Sequence, residues 1–165
     1  MTVDHGFAAG IIDARGHIEL VGRHGAQTPR IRVTTARVEL LTWLANRTGT
    51  AVHRDARGYE RRACAEHCGS THVHIARQSS YWNVDAARAV IVLYNVLPYL
   101  VCQLSVAHEA LLIGTLTWPV SPRTEISEQM RRRGWDIPDR ADLPRPGSDT
   151  RRNRAPVVDE AGLVC

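Results

Sequence analysis

Four soft metal ligands lie close together in the segment Cys64-Ala-Glu-His-Cys-Gly-Ser-Thr-His-Val-His74. Two thiols and two imidazoles form a complete ligand set for a structural zinc ion, with no position left open for catalysis. The spacing matches no standard zinc finger. One interpretation is a Zn²⁺ site that closes a loop between two strands. The alternative is that the histidines face outward and the thiols are ordinary. The zinc interpretation uses Cys64, Cys68, His72 and His74.

A second candidate for metal chemistry is the acidic residue near the end of the segment Phe7-Ala-Ala-Gly-Ile-Ile-Asp-Ala-Arg-Gly16. Asp4 is the predicted N-cap of a helix that ends at the glycine. Small residues on one face of this helix would let a second helix approach closely. The carboxylate of Asp13, at the C-terminal end, could then hold a divalent cation between two such helices.

This segment resembles the signature of the LAGLIDADG homing endonuclease family, which cleaves double-stranded DNA with divalent metals such as Mg²⁺. The positions that match are Ala9, Gly10, Ile11, Ile12, Asp13 and Gly16. A single copy of the signature implies a homodimer, because the family packs two such helices across a two-fold axis. The implied interface residues are Ala8, Ala9, Gly10 and Ile12. The alternative is that these small residues pack within one subunit.

The second acidic position of the family signature, which binds the catalytic metal, is occupied here by Arg15. A guanidinium cannot be deprotonated and cannot ligate a cation. Asp13 remains a candidate ligand, although a structural role at the helix end is the alternative, and Glu19 is a further candidate. The resemblance therefore predicts DNA binding with lost or weakened cleavage. The enzymatic alternative is an active Mg²⁺-dependent endonuclease that uses Asp13 or Glu19.

The hydrophobic periodicity predicts an α+β fold with the order α-β-β-α-β-β-α-α, which is also the order of the family. It comprises a four-stranded antiparallel sheet with helices on one face. The predicted strands cover 17–23, 30–34, 50–57 and 71–77. After the first helix, one helix capped by Thr34 or Thr35 runs to Arg47 and ends at Gly49. The next is capped by Asp85 and runs to Val96, and the last covers 103–116. Residues 3–118 form the predicted DNA-binding domain.

Period-two alternation along these strands decides which side chains lie on the face that no helix covers. The resemblance places this face in the major groove of DNA, where it reads base edges. We expect the face to be rich in Arg and His with few acids; the alternative is an ordinary solvated sheet. The predicted DNA-binding residues are Glu19, Val21, Arg23, Arg30, Arg32, Thr34, His53 and Arg57.

The composition permits nucleic-acid binding, because the formal net charge is +4 and the pI is about 9.2. All 21 basic residues are Arg, which is typical of a GC-rich bacterial or phage coding sequence. We expect an intracellular, cytoplasmic protein, since no apolar run reaches membrane-spanning length and no signal peptide is recognisable. A further alternative is a zinc-stabilised protein without a role on DNA.

The C-terminal residues 119–165 are rich in Pro, Arg and Asp. We expect a partly disordered tail with one short helix over 125–133, capped by Thr124. From Asp136 onward the apolar residues are too few and too scattered to build a core.

Overall fold

The chain follows the predicted order α-β-β-α-β-β-α-α and adds one short helix after it. The computed structural model describes residues 4–22, 27–54, 79–116 and 124–144. The helices are α1 (His5–Arg15), α2 (Val38–Thr48), α3 (Ala86–Val96), α4 (Leu104–Leu116) and α5 (Glu125–Arg132), and the strands are β1 (Gly16–Val21), β2 (Thr28–Thr35), β3 (Val52–Arg54) and β4 (Ser80–Asp85). The α+β fold class is therefore confirmed. None of these helices is long and apolar enough to cross a membrane.

The four strands form one antiparallel sheet in the order β1-β2-β4-β3. The predicted fourth strand, 71–77, lies outside the described residues. The strand that pairs with both β2 and β3 is β4, a segment whose alternation of buried Ser80, Trp82 and Val84 also has period two. The sequence contains two alternating runs within 15 residues, and alternation alone does not say which of them joins β2.

Local capping follows the predictions at two helix ends. The Oδ1 atom of Asp4 accepts a hydrogen bond from the backbone N–H of Phe7 at 2.9 Å, which caps α1. Gly49 ends α2 with a left-handed φ of 66°, a conformation that glycine adopts without steric cost. Asp85 occupies the N-cap position of α3 as predicted, but its side chain makes no capping hydrogen bond.

The core lies between the sheet and the helices on one of its faces. Ile31, Val33 and Trp82 point into it from the central strands, and all three are fully buried. The α3 helix is buried over most of its circumference, as its run of apolar residues from Ala89 to Leu93 requires. The indole N–H of Trp82 is satisfied by hydroxyl oxygens of the α2–β3 connection, so the buried polar atom costs little.

Residues of the predicted tail also belong to this core. Thr124 caps α5 as predicted, with its Oγ1 accepting from the N–H of Ser127 at 3.2 Å. Trp135 is 1% exposed, and its indole N–H donates to the carbonyl of Arg47 at 2.7 Å. Leu143 is also buried, so a residue beyond Asp136 joins the core. A few apolar residues are enough for this segment to pack, because they join a core that the sheet and the other helices already form.

Candidate nucleic-acid interface

The strand register defines the face of the sheet that the helices leave uncovered, which we call the open face. Side chains alternate between the two faces, so every second residue of each strand belongs to it. Its described members are His17, Glu19 and Val21 of β1, Thr28, Arg30, Arg32 and Thr34 of β2, His53 of β3, and Tyr81, Asn83 and Asp85 of β4. Their partners on the other face, such as Ile18 and Val84, are buried.

Six of the eight predicted DNA-binding residues lie on the open face, and the structure adds three from β4. The six are Glu19, Val21, Arg30, Arg32, Thr34 and His53. Arg23 and Arg57 lie outside the described residues. The prediction missed Tyr81, Asn83 and Asp85, because it placed the fourth strand at residues 71–77. The alternation of Ser80 to Asp85 was the pattern that could have identified them.

Arg30 is held by carboxylates from both neighbouring strands. Its Nε atom donates to Oδ1 of Asp85 at 2.6 Å, and its Nη1 atom lies 3.8 Å from Oε1 of Glu19. The register places all three residues side by side across β1, β2 and β4. The hydrogen bond to Asp85 raises the pKa of Arg30 against the opposing effect of desolvation. Arg30 is therefore paired before any ligand arrives.

Among the described residues, no acid pairs with Arg32, and its guanidinium lies over an aromatic ring. Its Cζ atom is 4.1 Å from the ring centroid of Tyr81, within cation–π distance. The ring of Tyr81 in turn stacks on the imidazole of His53, with 5.1 Å between centroids and 23° between planes. The buried Nε atom of Arg32 has no hydrogen-bond partner within the described part of the chain. The stack therefore spans β2, β4 and β3 and supports this guanidinium.

The charge of the open face differs from the prediction. We expected few acids, yet β1, β2 and β4 contribute two carboxylates, Glu19 and Asp85, against two guanidinium groups, Arg30 and Arg32. The open face is therefore mixed in charge over the described residues, and its positive character is concentrated at Arg32. The prediction included Glu19 on this face. It did not include Asp85, because the sequence pattern assigned that residue only as the cap of a helix.

The C-terminal end of α1 uses its carboxylate within the chain. Oδ2 of Asp13 accepts from the N–H of Val101 at 2.7 Å, and Oδ1 accepts from the N–H of Gln103 at 3.1 Å. The side-chain amide of Gln103 donates back to the carbonyls of Ile12 and Gly16. These bonds join the end of α1 to the start of α4. Both oxygens that could ligate a metal thus have a structural function.

A divalent metal does not fit the residues at this end of α1. Arg15 is exposed, and its cation lies where the helix dipole is negative. Glu19 is two positions along β1 from His17 and lies near Arg30. Among the described residues, no group of three His, Cys, Asp or Glu could hold a metal ion. The predicted zinc ligands Cys64, Cys68, His72 and His74 all lie outside those residues.

The predicted dimer-interface residues divide into two sets. Ala8, Ala9 and Ile12 are fully buried within one chain, a burial that favours the alternative of packing within the subunit. Gly10 is exposed, and nothing lies within 4 Å of the position that a Cβ atom would take.

The exposed face of α1 has its own pattern of small residues. Gly6, Gly10 and Ala14 recur every four residues, so they line one side of the helix. With Phe7 and Leu40 they border a cavity of about 800 Å³ between α1 and the start of α2. A glycine in a helix interior weakens the helix, and no contact within the described chain explains Gly10. Close approach of another chain would explain it.

Fold and site together define an α+β domain whose antiparallel sheet presents one open polar face. Similar solved structures include the homing endonuclease I-CvuI in complex with its target in the presence of 2 mM Ca, at 17% identity and a TM-score of 0.44, covering 78% of this chain and 90% of that chain. Another is the archaeal intron-encoded homing endonuclease I-Vdi141I complexed with DNA, at 10% identity and a TM-score of 0.40, covering 78% of this chain and 93% of that chain. No protein-family model and no curated protein matches the chain. Since TM-scores below 0.5 carry no functional inference, the function has to follow from the residues of the chain itself.

Proposed function

We propose that this protein binds double-stranded DNA as a homodimer through the open face of its sheet, and that it has lost or weakened the cleavage activity of the LAGLIDADG proteins it resembles. The observation that carries the proposal is the guanidinium of Arg32, which lies on Tyr81 on a face that no helix covers. An antiparallel ribbon with outward polar side chains can enter the major groove, where base edges accept and donate hydrogen bonds.

The homodimer is supported by the exposed face of α1. Gly6, Gly10 and Ala14 present almost no side chain, so the backbone of a second helix could approach closely along this line. A two-fold pairing of α1 helices would bring two open faces side by side on one duplex. It would also bring two Arg15 side chains close to the axis.

The loss of cleavage is supported by the residues at the end of α1. Cleavage assisted by a hard divalent cation requires oxygen ligands, mainly carboxylates. Asp13 has both oxygens committed to backbone N–H groups of the chain before α4. Arg15 would repel a metal ion and attract a phosphate group instead.

The test combines binding and cleavage on the same samples. The full chain is mixed with duplexes tiled across its own gene locus, in Mg²⁺ and at several salt concentrations, beside the variants Arg15→Glu and Arg131→Glu. Arg131 is an exposed residue of α5, so its charge reversal is the matched control. We expect the affinity of the wild type to fall steeply with salt, because phosphate contacts release counterions. We also expect no cleavage by the wild type or the control.

Each other outcome has a distinct meaning. Cleavage gained only by Arg15→Glu would locate the lost activity at that residue. Cleavage by the wild type would contradict the proposed loss and favour the active endonuclease. Absence of duplex binding at low salt would contradict the proposal as a whole and leave the zinc-stabilised protein without a DNA role.

A further inference from the structure

Arg32 lies at the centre of the open face, in a row of three side chains that can form hydrogen bonds. The register pairs it with His17 on β1 and with Asn83 on β4. Adjacent strands are about 4.8 Å apart, so the row crosses the sheet at right angles to the strands. Any duplex lying against the open face would meet Arg32 between an imidazole and an amide.

The Arg32 guanidinium is supported before binding. Its Cζ atom lies 4.1 Å from the ring centroid of Tyr81, and that ring stacks on His53. A free arginine side chain loses conformational entropy when it is ordered, and contact with this stack reduces that loss for Arg32. The buried Nε atom cannot contact a ligand, so the remaining N–H donors of the guanidinium are those on its two Nη atoms.

The two arginines of β2 differ in what their donors bind. Arg30 donates to Asp85 and lies near Glu19, whereas no carboxylate of the described residues pairs with Arg32. A base that contacted Arg30 would first have to displace Asp85. Arg32 can present its Nη donors without breaking any bond within the described chain.

The donor pattern of Arg32 selects among the four bases. Guanine presents two acceptors, O6 and N7, on its major-groove edge, and a planar fork can donate to both at once. Adenine presents N7 beside an amino donor, which a guanidinium cannot accept because it has donors only. Cytosine presents an amino donor, and thymine has a single acceptor beside a methyl group.

We infer that Arg32 is the specificity-determining residue of the open face and that it reads a guanine, so that each half-site of the target contains one G·C pair at the position facing Arg32. This inference rests on the proposed DNA-binding function. Within it, Arg30 orders the sheet surface through Asp85 and Glu19 and does not choose a base.

The test selects bound duplexes from a pool with randomised base pairs, using the full chain and the variants Arg32→Gln and Arg30→Gln. Glutamine removes the positive charge in both variants, and its amide pairs with adenine and not with guanine. For the wild type we expect about a tenfold preference for guanine over other bases at one position in each half-site. Arg32→Gln should abolish that preference. Arg30→Gln is the matched control, because it loses the same charge and should keep the preference.

Two results would overturn the inference. A guanine preference that survives in Arg32→Gln would assign the readout to another residue, and a preference lost in Arg30→Gln but kept in Arg32→Gln would assign it to Arg30. Duplex binding without any guanine preference would also overturn the inference while leaving the proposed function intact. Absence of binding to every duplex would instead contradict the proposed function itself.

Discussion

The open face of the sheet and the C-terminal end of α1 contain similar polar groups but use them differently. On the open face, Arg32 stacks on Tyr81 and leaves the Nη donors of its guanidinium without a carboxylate partner among the described residues. At the end of α1, both oxygens of Asp13 accept hydrogen bonds from the chain before α4. The open face therefore has hydrogen-bond donors that a ligand could contact, whereas the carboxylate at the end of α1 joins that helix to α4.

This difference shows how recognition and catalysis can separate within one fold. A recognition surface needs only donors that a ligand can reach, and a sheet supplies these by alternation. A metal centre needs several carboxylate oxygens that converge on one point. Arg15 is a cation and both oxygens of Asp13 accept backbone hydrogen bonds, so the described residues offer no such convergence, as the proposed function requires.

The largest effect should follow from removing Asp13. Asp13→Ala leaves the N–H groups of Val101 and Gln103 without their acceptor and weakens the connection between the end of α1 and the start of α4. We expect the free energy of unfolding to fall by about 3 kcal/mol, since two hydrogen bonds to one charged group are lost. Urea denaturation followed by circular dichroism measures it.

A matched variant sharpens this prediction. Asp13→Asn keeps one side-chain carbonyl acceptor and has nearly the same shape, so it should recover part of the lost stability. If Asp13→Ala were as stable as the wild type, the carboxylate would be free for another role. That result would favour the alternative of Asp13 as a metal ligand.

A smaller effect is expected at the exposed face of α1. Gly10→Ala replaces a glycine in a helix interior, where the added methyl group meets nothing within 4 Å. We expect the isolated chain to gain about 1 kcal/mol of stability from helix propensity. The homodimer should weaken at the same time, because the methyl group would separate the two α1 backbones.

The informative result for Gly10→Ala is a rise in the stability of the chain together with a fall in the association constant of the dimer. Thermal unfolding at low protein concentration reports on the chain, and sedimentation velocity across a concentration series reports on the dimer. A gain in stability with an unchanged association constant would show that α1 is not the dimer contact. Asn46→Ala, which also raises helix propensity at an exposed position but lies in α2 outside the proposed contact, is the matched control.

Much of the fold was predictable because the burial of one face imposes a periodicity on the sequence. Ile31 and Val33 alternate with outward arginines, and this alternation was sufficient to assign β2 and its two faces. The alternation was not sufficient to assign β4, since the nearby residues 71–77 alternate equally well. Choosing between two such runs requires knowledge of strand pairing, which a local pattern does not contain.

The use of each polar residue was less predictable than its position. Asp13 bonds with residues 88 and 90 positions away, and Arg30 bonds with Asp85 across 55 positions. Local spacing therefore predicted that Asp13 ends a helix and that Arg30 faces outward. It could not show that both side chains are already paired, whereas Arg32 is available.

Tyr81→Leu tests whether the aromatic stack makes the open face ready for binding. Leucine still covers the sheet but offers no ring for the cation–π contact with Arg32 or for stacking with His53. An exposed cation–π contact contributes roughly 0.5–1 kcal/mol, so we expect the affinity for the selected duplex to fall by a few-fold. Fluorescence anisotropy with a labelled duplex measures this loss. An unchanged affinity would mean that Arg32 needs no support from the ring.

The smallest effect should follow from changing Asp85, the acid that accepts hydrogen bonds from Arg30. Asp85→Asn removes one negative charge from the open face and weakens the hold on the Arg30 guanidinium. Pairs as exposed as this one contribute little to stability, so unfolding should be almost unchanged. The affinity for duplex DNA should instead rise by a few-fold, and the slope of log K against log salt should steepen by up to one unit as Arg30 becomes able to contact a phosphate. Glu128→Gln, which removes a negative charge from α5, should leave both quantities unchanged. If the two variants bind duplex DNA equally well, the open face is not where the DNA lies.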